Sequence, residues 1–271
     1  MSQHSNTKQI TNTELLAMKT RGEKIVSLTA YDASFAHILD NAGVDMVLVG
    51  DSLGMVVQGQ SSTVPVTVEE MAYHSKLVSR GLKRALLVTD LPFMSYPTPN
   101  EAVKNAGILM QKGYAQMVKL EGGQKVLDSV KLIVDQGIPV CGHLGLLPQS
   151  VNQIGGYRVQ GKDESQANTI IEDAKCLEQA GASAVVVECI PSSLGKRISE
   201  AVNIPVIGIG AGVDCDGQVL VCYDMLDITA GMRPKFSKNF MLEAGSVSSA
   251  VSAYVEAVQN KQFPATEHSF K

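Results

Sequence analysis

At 271 residues, 45% of them hydrophobic, the chain can bury a large core, and α/β barrels of roughly 250 residues fold as one unit. Its 23 basic and 27 acidic residues leave a net charge of −4 with no basic block, which argues against nucleic-acid partners and against recruitment to an anionic membrane. Residues 1–6 are polar and no run approaches the roughly 18 apolar residues of a spanning helix, so the expectation is a cytoplasmic protein with one domain over 1–271.

In chain order, an amphipathic stretch at 12–20 predicts a preliminary helix and 24–30 the first strand. Asp32 stands where an N-cap belongs, before a helical pattern at 33–41 that stops at Ala42-Gly43. Residues 45–50 read as a buried parallel strand, covered on both faces and free for polar chemistry only at its end, which is Asp51. The cadence repeats, with strands at 85–89, 117–120, 139–142, 184–187, 205–209 and, more weakly, 219–222. Helical patterns lie between them at 68–80, 99–112, 124–136, 164–180 and 192–201. A last pattern at 239–259, with Leu242, Val247, Val251, Tyr254, Val255 and Val258 at helical spacing, predicts a packing or subunit-contact helix.

Eight strands alternating with helices predict a (β/α)8 TIM barrel with an extra N-terminal helix and a C-terminal helix. No Gly-x-Gly-x-x-Gly follows the first strand, which lowers the Rossmann alternative. The links from helix to strand are short (136–138, 180–183), whereas those after strands two and five (52–67, 144–163) are long, and this asymmetry marks the C-terminal rim as the working face.

The rim rule gathers Asp51, Asp90, Lys119, Glu121, His143 and Glu188 around one pocket. Four carboxylates cannot share a small apolar pocket unpaired, and a divalent cation resolves the conflict; oxygen ligands without a His or Cys cluster favour Mg²⁺ over Zn²⁺. N-capping competes with metal binding at Asp51 and Asp90, but the next helical pattern begins several residues beyond each. For Glu121, ahead of Gly122-Gly123, capping and an outer metal role both stand; for His143, a satisfied core histidine and a site residue both stand. Lys119, inside an apolar run, calls for a carboxylate or a substrate anion. Glu188 closes Val185-Val186-Val187, surroundings that suit a general base, with a structural ion pair to an arginine as its alternative. Gly208-Ile209-Gly210-Ala211-Gly212 occupies the place of a phosphate cradle, although tight packing explains its glycines equally well. The chemistry such a rim serves is enolate formation from an α-keto acid. Five cysteines, Cys141, Cys176, Cys189, Cys215 and Cys222, contain no Cys-x-x-Cys pair and are expected as buried free thiols.

Several strings carry a resemblance: Thr29-Ala30-Tyr31-Asp32, Val49-Gly50-Asp51-Ser52-Leu53-Gly54-Met55, Asp90-Leu91-Pro92-Phe93-Met94 and Val118-Lys119-Leu120-Glu121-Gly122-Gly123. They are joined by Val140-Cys141-Gly142-His143-Leu144-Gly145-Leu146, Gly155-Gly156-Tyr157, Gln160-Gly161, Glu188-Cys189, Gly208 through Gly212 and Pro234-Lys235-Phe236. In this order, from about residue 25 onward, they closely resemble the ketopantoate hydroxymethyltransferase (3-methyl-2-oxobutanoate hydroxymethyltransferase) family. The resemblance implies transfer of a one-carbon unit from 5,10-methylenetetrahydrofolate to 3-methyl-2-oxobutanoate, giving 2-dehydropantoate for pantothenate synthesis. It implies Mg²⁺ on Asp51 and Asp90 with Glu121 completing the metal site, the keto acid held by Ser52 and Lys119 beside Asp51 and Asp90, Glu188 as general base and a supporting role for His143. It also implies a (β/α)8 barrel assembled as a homodecamer of two pentameric rings. The folate pocket is unmarked in the sequence, with 144–163 as a candidate wall. The alternative is a metal-dependent lyase of the isocitrate-lyase or phosphoenolpyruvate-mutase type; those enzymes carry a Lys-Lys-Cys-Gly-His loop, whereas Cys141-Gly142-His143 here has no lysine before it. A barrel kept only for binding or assembly would leave the polar strand ends incidental.

Overall fold

The computed structural model describes residues 8–156, 158–229 and 233–271; the polar 1–6 stretch and Tyr157 of the Gly-Gly-Tyr motif lie outside them. Eight parallel strands, β1 (Ile25–Thr29), β2 (Met46–Val49), β3 (Leu86–Asp90), β4 (Met117–Glu121), β5 (Val140–Gly145), β6 (Ala184–Glu188), β7 (Val206–Ile209) and β8 (Gly217–Leu220), form a closed barrel in sequence order. Closure is made by β8 against β1, with Ile25 opposite Gly217 and Leu28 opposite Leu220. Almost every strand residue is buried, as a sheet covered on both faces requires.

Around the barrel run α1 (Asn12–Arg21), α2 (Ala33–Asn41), α3 (Leu53–Val56), α4 (Val68–Ser79), α5 (Pro99–Gly113), α6 (Leu127–Asp135), α7 (Val151–Ile154), α8 (Glu164–Gln179), α9 (Ser192–Ala201), α10 (Cys222–Met225) and α11 (Val247–Gln259). Several helices begin where their sequences supply an acceptor for free N–H groups, whereas α6 and α9 start without a side-chain cap. Asp32 caps α2 through the amides of Ser34 and Phe35, Thr67 and Glu70 form a capping box on α4, and Asp163 caps α8 through Gln166. These caps fix where each rim loop must end.

The predicted barrel is therefore present, with three local differences. As in the sequence pattern, β7 and β8 are joined by 210–216 without a helix. β8 lies at 217–220, two residues earlier than the apolar run suggests, and Cys222 starts α10 instead. The 52–67 loop opens with the one-turn α3, and the 144–163 loop contains α7. The C-terminal helix starts at Val247, not 239, and Leu242 is 80% exposed in the irregular segment before it. That helix covers the barrel wall beside β1: Tyr254 is fully buried and donates its hydroxyl to the carbonyls of Ser27 and Gln218, tying β1 to the segment that closes on it. Burying such side chains contributes about 1.5–3 kcal/mol each, which explains why α11 docks despite its distance in sequence from the strand it covers.

Candidate active site

β3, β4 and β6 terminate at Asp90, Glu121 and Glu188, β2 runs directly into Asp51, and β5 carries His143 two residues before its end. All of them, with Ser52 and Lys119, line one cavity of about 660 Å³ at the C-terminal rim. The register makes this unavoidable, since Asp90 pairs with Lys119, Glu121 with His143 and Gly145 with Glu188 across neighbouring strands. Lys119 and Glu121 sit two apart on β4 and so face the same side, the barrel interior. Gly145 holds φ +89, and a Cβ there would lie 2.2 Å from the Glu188 carbonyl oxygen; glycine lets the end of β5 meet the end of β6.

The polar groups form a connected set. Lys119 Nζ lies 2.8 Å from Asp90 Oδ1 and donates to His143 Nδ1 at 3.2 Å. Asp90 Oδ2 accepts the Asp51 N–H at 3.1 Å. Because Nδ1 of His143 accepts from the ammonium, its ring proton belongs on Nε2, which lies 3.2 Å from Glu188 Oε2. Glu121 Oε1 is 3.4 Å from Nδ1, and its Oε2 accepts the Gln149 N–H at 3.1 Å. Ser52 Oγ is held by the Tyr31 hydroxyl at 2.9 Å.

Three buried carboxylates surround one buried ammonium. Burial, with Asp90 and Glu121 adding repulsion, pushes the Asp51 carboxyl well above its ordinary range, against the pull of Lys119 and Gln149. Burial also pushes Glu121 up to about 8, with Lys119 opposing and Asp90 reinforcing. Burial draws Lys119 down, but Asp90, Glu121 and Asp51 outweigh it and hold the ammonium above its usual value. His143 is held below its usual value by burial and by Lys119, so it is neutral at pH 7. The donor set fits a divalent cation: adding one would balance the excess carboxylate charge that Lys119 alone leaves. Among the described residues no group of three or more His, Cys, Asp or Glu is arranged to hold an ion unaided. Two carboxylates completed by water and substrate are the arrangement Mg²⁺ commonly accepts.

Every residue predicted for the rim lies in this cavity. Asp51 caps nothing: Ser52 is the residue ahead of α3 and makes no side-chain cap. Glu121 is not a cap either, since its oxygens turn to Gln149 and His143 while the first N–H of the 3₁₀ turn Gln124–Val126 donates to Asp173 Oδ1 at 3.1 Å. His143 is buried yet belongs to the charged set, and the partner of Glu188 is that histidine instead of an arginine. The glycines at 208–212 are packing glycines: added Cβ atoms would meet Cys215, the rings of Phe236 and Phe270, and Ser192. Tyr31, Tyr96 and Gln149 escaped sequence reasoning. Tyr96 and Gln149 lie in rim loops without periodicity, and the only signal for Gln149 was its place after Pro148 in a long working-face loop.

A model of the ketopantoate hydroxymethyltransferase family matches residues 9–266. The chain is 56% identical over 262 residues to the 3-methyl-2-oxobutanoate hydroxymethyltransferase of Shewanella frigidimarina, covering 97% of this chain and 99% of that one. It is likewise 56% identical over 264 residues to the enzyme of the same name from Alteromonas mediterranea, covering 97% and 100%. The chain belongs to the ketopantoate hydroxymethyltransferase family. As a ketopantoate hydroxymethyltransferase family member it shares its barrel with more distant proteins. A phosphonopyruvate hydrolase solved with oxalate and Mg²⁺ superposes with a TM-score of 0.60 at 9% identity, covering 94% of this chain and 96% of that one. A lyase or mutase structure from Burkholderia cenocepacia J2315 gives 0.61 at 16%, covering 95% and 97%. At such identities the likeness speaks for the (β/α)8 fold alone.

Proposed function

We propose that this chain is a 3-methyl-2-oxobutanoate hydroxymethyltransferase that joins the one-carbon unit of 5,10-methylenetetrahydrofolate to C3 of 3-methyl-2-oxobutanoate, with water consumed and 2-dehydropantoate and tetrahydrofolate released. The observation that carries it is the division of the rim: Asp51, Asp90, Glu121 and Lys119 form one charged cluster, and Glu188 stands across His143 from it. Asp51 and Asp90 would hold Mg²⁺, with Glu121 reached through water. The bound ion supplies a Lewis acid that stabilises the developing enolate oxygen.

The chain's own residues do the rest. Lys119 presents its ammonium to the substrate carboxylate from the floor of the cavity, and Ser52, fixed by Tyr31, adds a hydroxyl at the rim. Glu188 removes the C3 proton. His143, neutral with its proton on Nε2, places that nitrogen 3.2 Å from Glu188 Oε2 and stands beside the carboxylate without delivering a charge. The apolar wall of Leu48, Val186 and Ile209 excludes water from the carbanion. Cytoplasmic location and a single domain, which follow the composition and length of the sequence, and assembly as a homodecamer, which follows the family resemblance, belong to the same proposal.

The lyase reading has no support from the thiol it would need. Cys141 is fully buried on β5, and burial pushes it up to about 12, so it offers no exposed acid. The deciding experiment is solvent-deuterium exchange at C3 of 3-methyl-2-oxobutanoate with magnesium and no folate. Exchange by the wild type and its loss by about 10³-fold in Glu188→Gln, with magnesium and keto acid still protecting the fold thermally, is the expected result. Full exchange by the variant would remove Glu188 from its role.

A further inference from the structure

Gln149 is buried although it lies in a loop, in the 3₁₀ turn Pro148–Ser150 that follows β5. Both protons of its amide are used: Nε2 donates to Asp51 Oδ2 at 2.8 Å and to the Leu91 carbonyl at 3.0 Å. Its Oε1 accepts the Tyr96 hydroxyl in a short hydrogen bond, and the Tyr96 oxygen in turn accepts the Glu121 N–H at 3.3 Å. The Gln149 backbone N–H meets Glu121 Oε2. One residue therefore touches the ends of β2 and β4 and the loop after β3 while hanging from β5.

An amide is the only uncharged side chain here that offers two donors and one acceptor in a plane. The donor from Tyr96 fixes which end is oxygen, and so fixes the N–H groups toward Asp51. Turning the amide over would set its oxygen against the Asp51 carboxylate and the Leu91 carbonyl, and its NH₂ against the tyrosine. The amide engages Oδ2 of Asp51 and leaves Oδ1 for a cation.

We propose that Gln149, oriented by Tyr96, is a positioning residue of the transfer reaction: it holds Asp51 in the rotamer that binds the metal and ties Glu121 to the same frame. The inference rests on the functional reading above. It adds a residue outside the strand ends to the machinery. Neighbours that hydrogen-bond to metal-binding side chains commonly change metal affinity by about 10- to 100-fold when removed.

The test titrates magnesium calorimetrically into wild type, Gln149→Met and Tyr96→Phe, each saturated with 3-methyl-2-oxobutanoate, and follows C3 deuterium exchange against magnesium concentration. Gln149→Met keeps the volume and loses both donors; its magnesium dissociation constant is expected to rise about 10- to 100-fold, with the folate co-substrate KM unchanged. Tyr96→Phe keeps the amide and frees it to turn; a smaller rise of about 2- to 10-fold is expected. A purely structural role would instead lower the melting temperature and leave the magnesium affinity of the folded protein alone. Folded Gln149→Met binding magnesium as the wild type does overturns the assignment. Where Gln149→Met does not fold, unchanged magnesium affinity in Tyr96→Phe overturns it equally. A wild type that neither binds magnesium with the keto acid nor exchanges C3 sinks the functional reading, and this inference with it.

Discussion

The two ends of the barrel treat buried charge in opposite ways. At the N-terminal end each charge is answered. Asp45, ahead of β2, accepts the Val26 N–H at 3.0 Å and pairs with Arg84 at 2.5 Å. Asp40 accepts the amides of Lys83, Arg84 and Ala85. Lys19 on α1 pairs with Asp216 at 2.8 Å and donates to the carbonyls of Ser199, Val202 and Ile204, while Lys24 donates to those of Val213 and Cys215. These contacts tie α1 and the residue ahead of β1 to the segments that lead into β7 and β8. The C-terminal end places Asp51, Asp90 and Glu121 around Lys119, with Arg233 and Lys235 elsewhere on the same cavity's lining. At one end each named charge has partners of its own, although burial still raises Asp45 and lowers Lys24; at the other, three carboxylates share one lysine beside a cavity with room for a ligand.

The largest effects should come from removing the charges on which each end depends. Lys119→Met takes away the one ammonium that, among the described residues, is paired into the three buried carboxylates, and should cost about 3–5 kcal/mol of stability, read by denaturant unfolding. Asp45→Asn breaks the matching pair at the other end. Because the Arg84 side chain is 25% exposed, its loss should be smaller, about 2–3 kcal/mol, with activity per folded molecule retained. Asp51→Asn should have the reverse pattern: metal-free stability unchanged or raised by about 1 kcal/mol, because a repelled carboxylate is gone, and transfer activity lost. A stability loss in Asp51→Asn as large as that in Asp45→Asn would erase the distinction between the ends.

The pH dependence of the metal-free protein sharpens the same contrast. Glu121 titrates near 8 when folded and near 4.5 when unfolded, so between these values the folded state binds the extra proton. Its contribution is fully present below about pH 4.5 and is lost as pH rises through 8, with a limiting slope of about 1.4 kcal/mol per pH unit for one proton. Unfolding curves from pH 5 to 8 should show stability falling across this window, with Asp51, also raised by burial, contributing in the same direction, and Glu121→Gln should make the fall shallower without abolishing it. A profile unchanged by that substitution would place the titration elsewhere.

The barrel was legible because its signal is repeated: a short apolar run, a polar stop and a helical pattern recur, and Asp32 marks a helix start by its own chemistry; Thr67 and Asp163 showed as caps only in the structure. The rim residues were legible for the same reason, since a strand end is a place that can be counted to. What fell outside was whatever has no period. Gln149 and Tyr96 act through loop geometry, and their meaning comes from Asp51 and Glu121, residues 98 and 25 positions away. Glu121 illustrates the second limit: a glutamate before two glycines reads equally as a cap or a site residue until the direction of its carboxylate is seen. β8 was misplaced because its buried residues include Gly217 and Gln218, which carry no apolar signal.

The smallest expected effect concerns the thiols, and it tests whether the cavity end is wet. Cys141 and Cys222 lie in the barrel wall and at the start of α10, and Cys215 in the link before β8; all three are fully buried, and burial holds each up at about 12. Cys189 borders the cavity beside Glu188, 6% exposed, and burial together with that carboxylate raises it as well. Cys176, half-buried on α8, is the accessible one. At pH 8 a disulfide reagent should therefore modify one thiol quickly in the native protein, and Cys176→Ser should abolish that phase without changing transfer activity. Should Cys189 react as fast, water reaches the base end of the cavity in the free protein. Protection of that thiol by the keto acid with magnesium would then locate the exclusion of water in the ligand and not in the apolar wall.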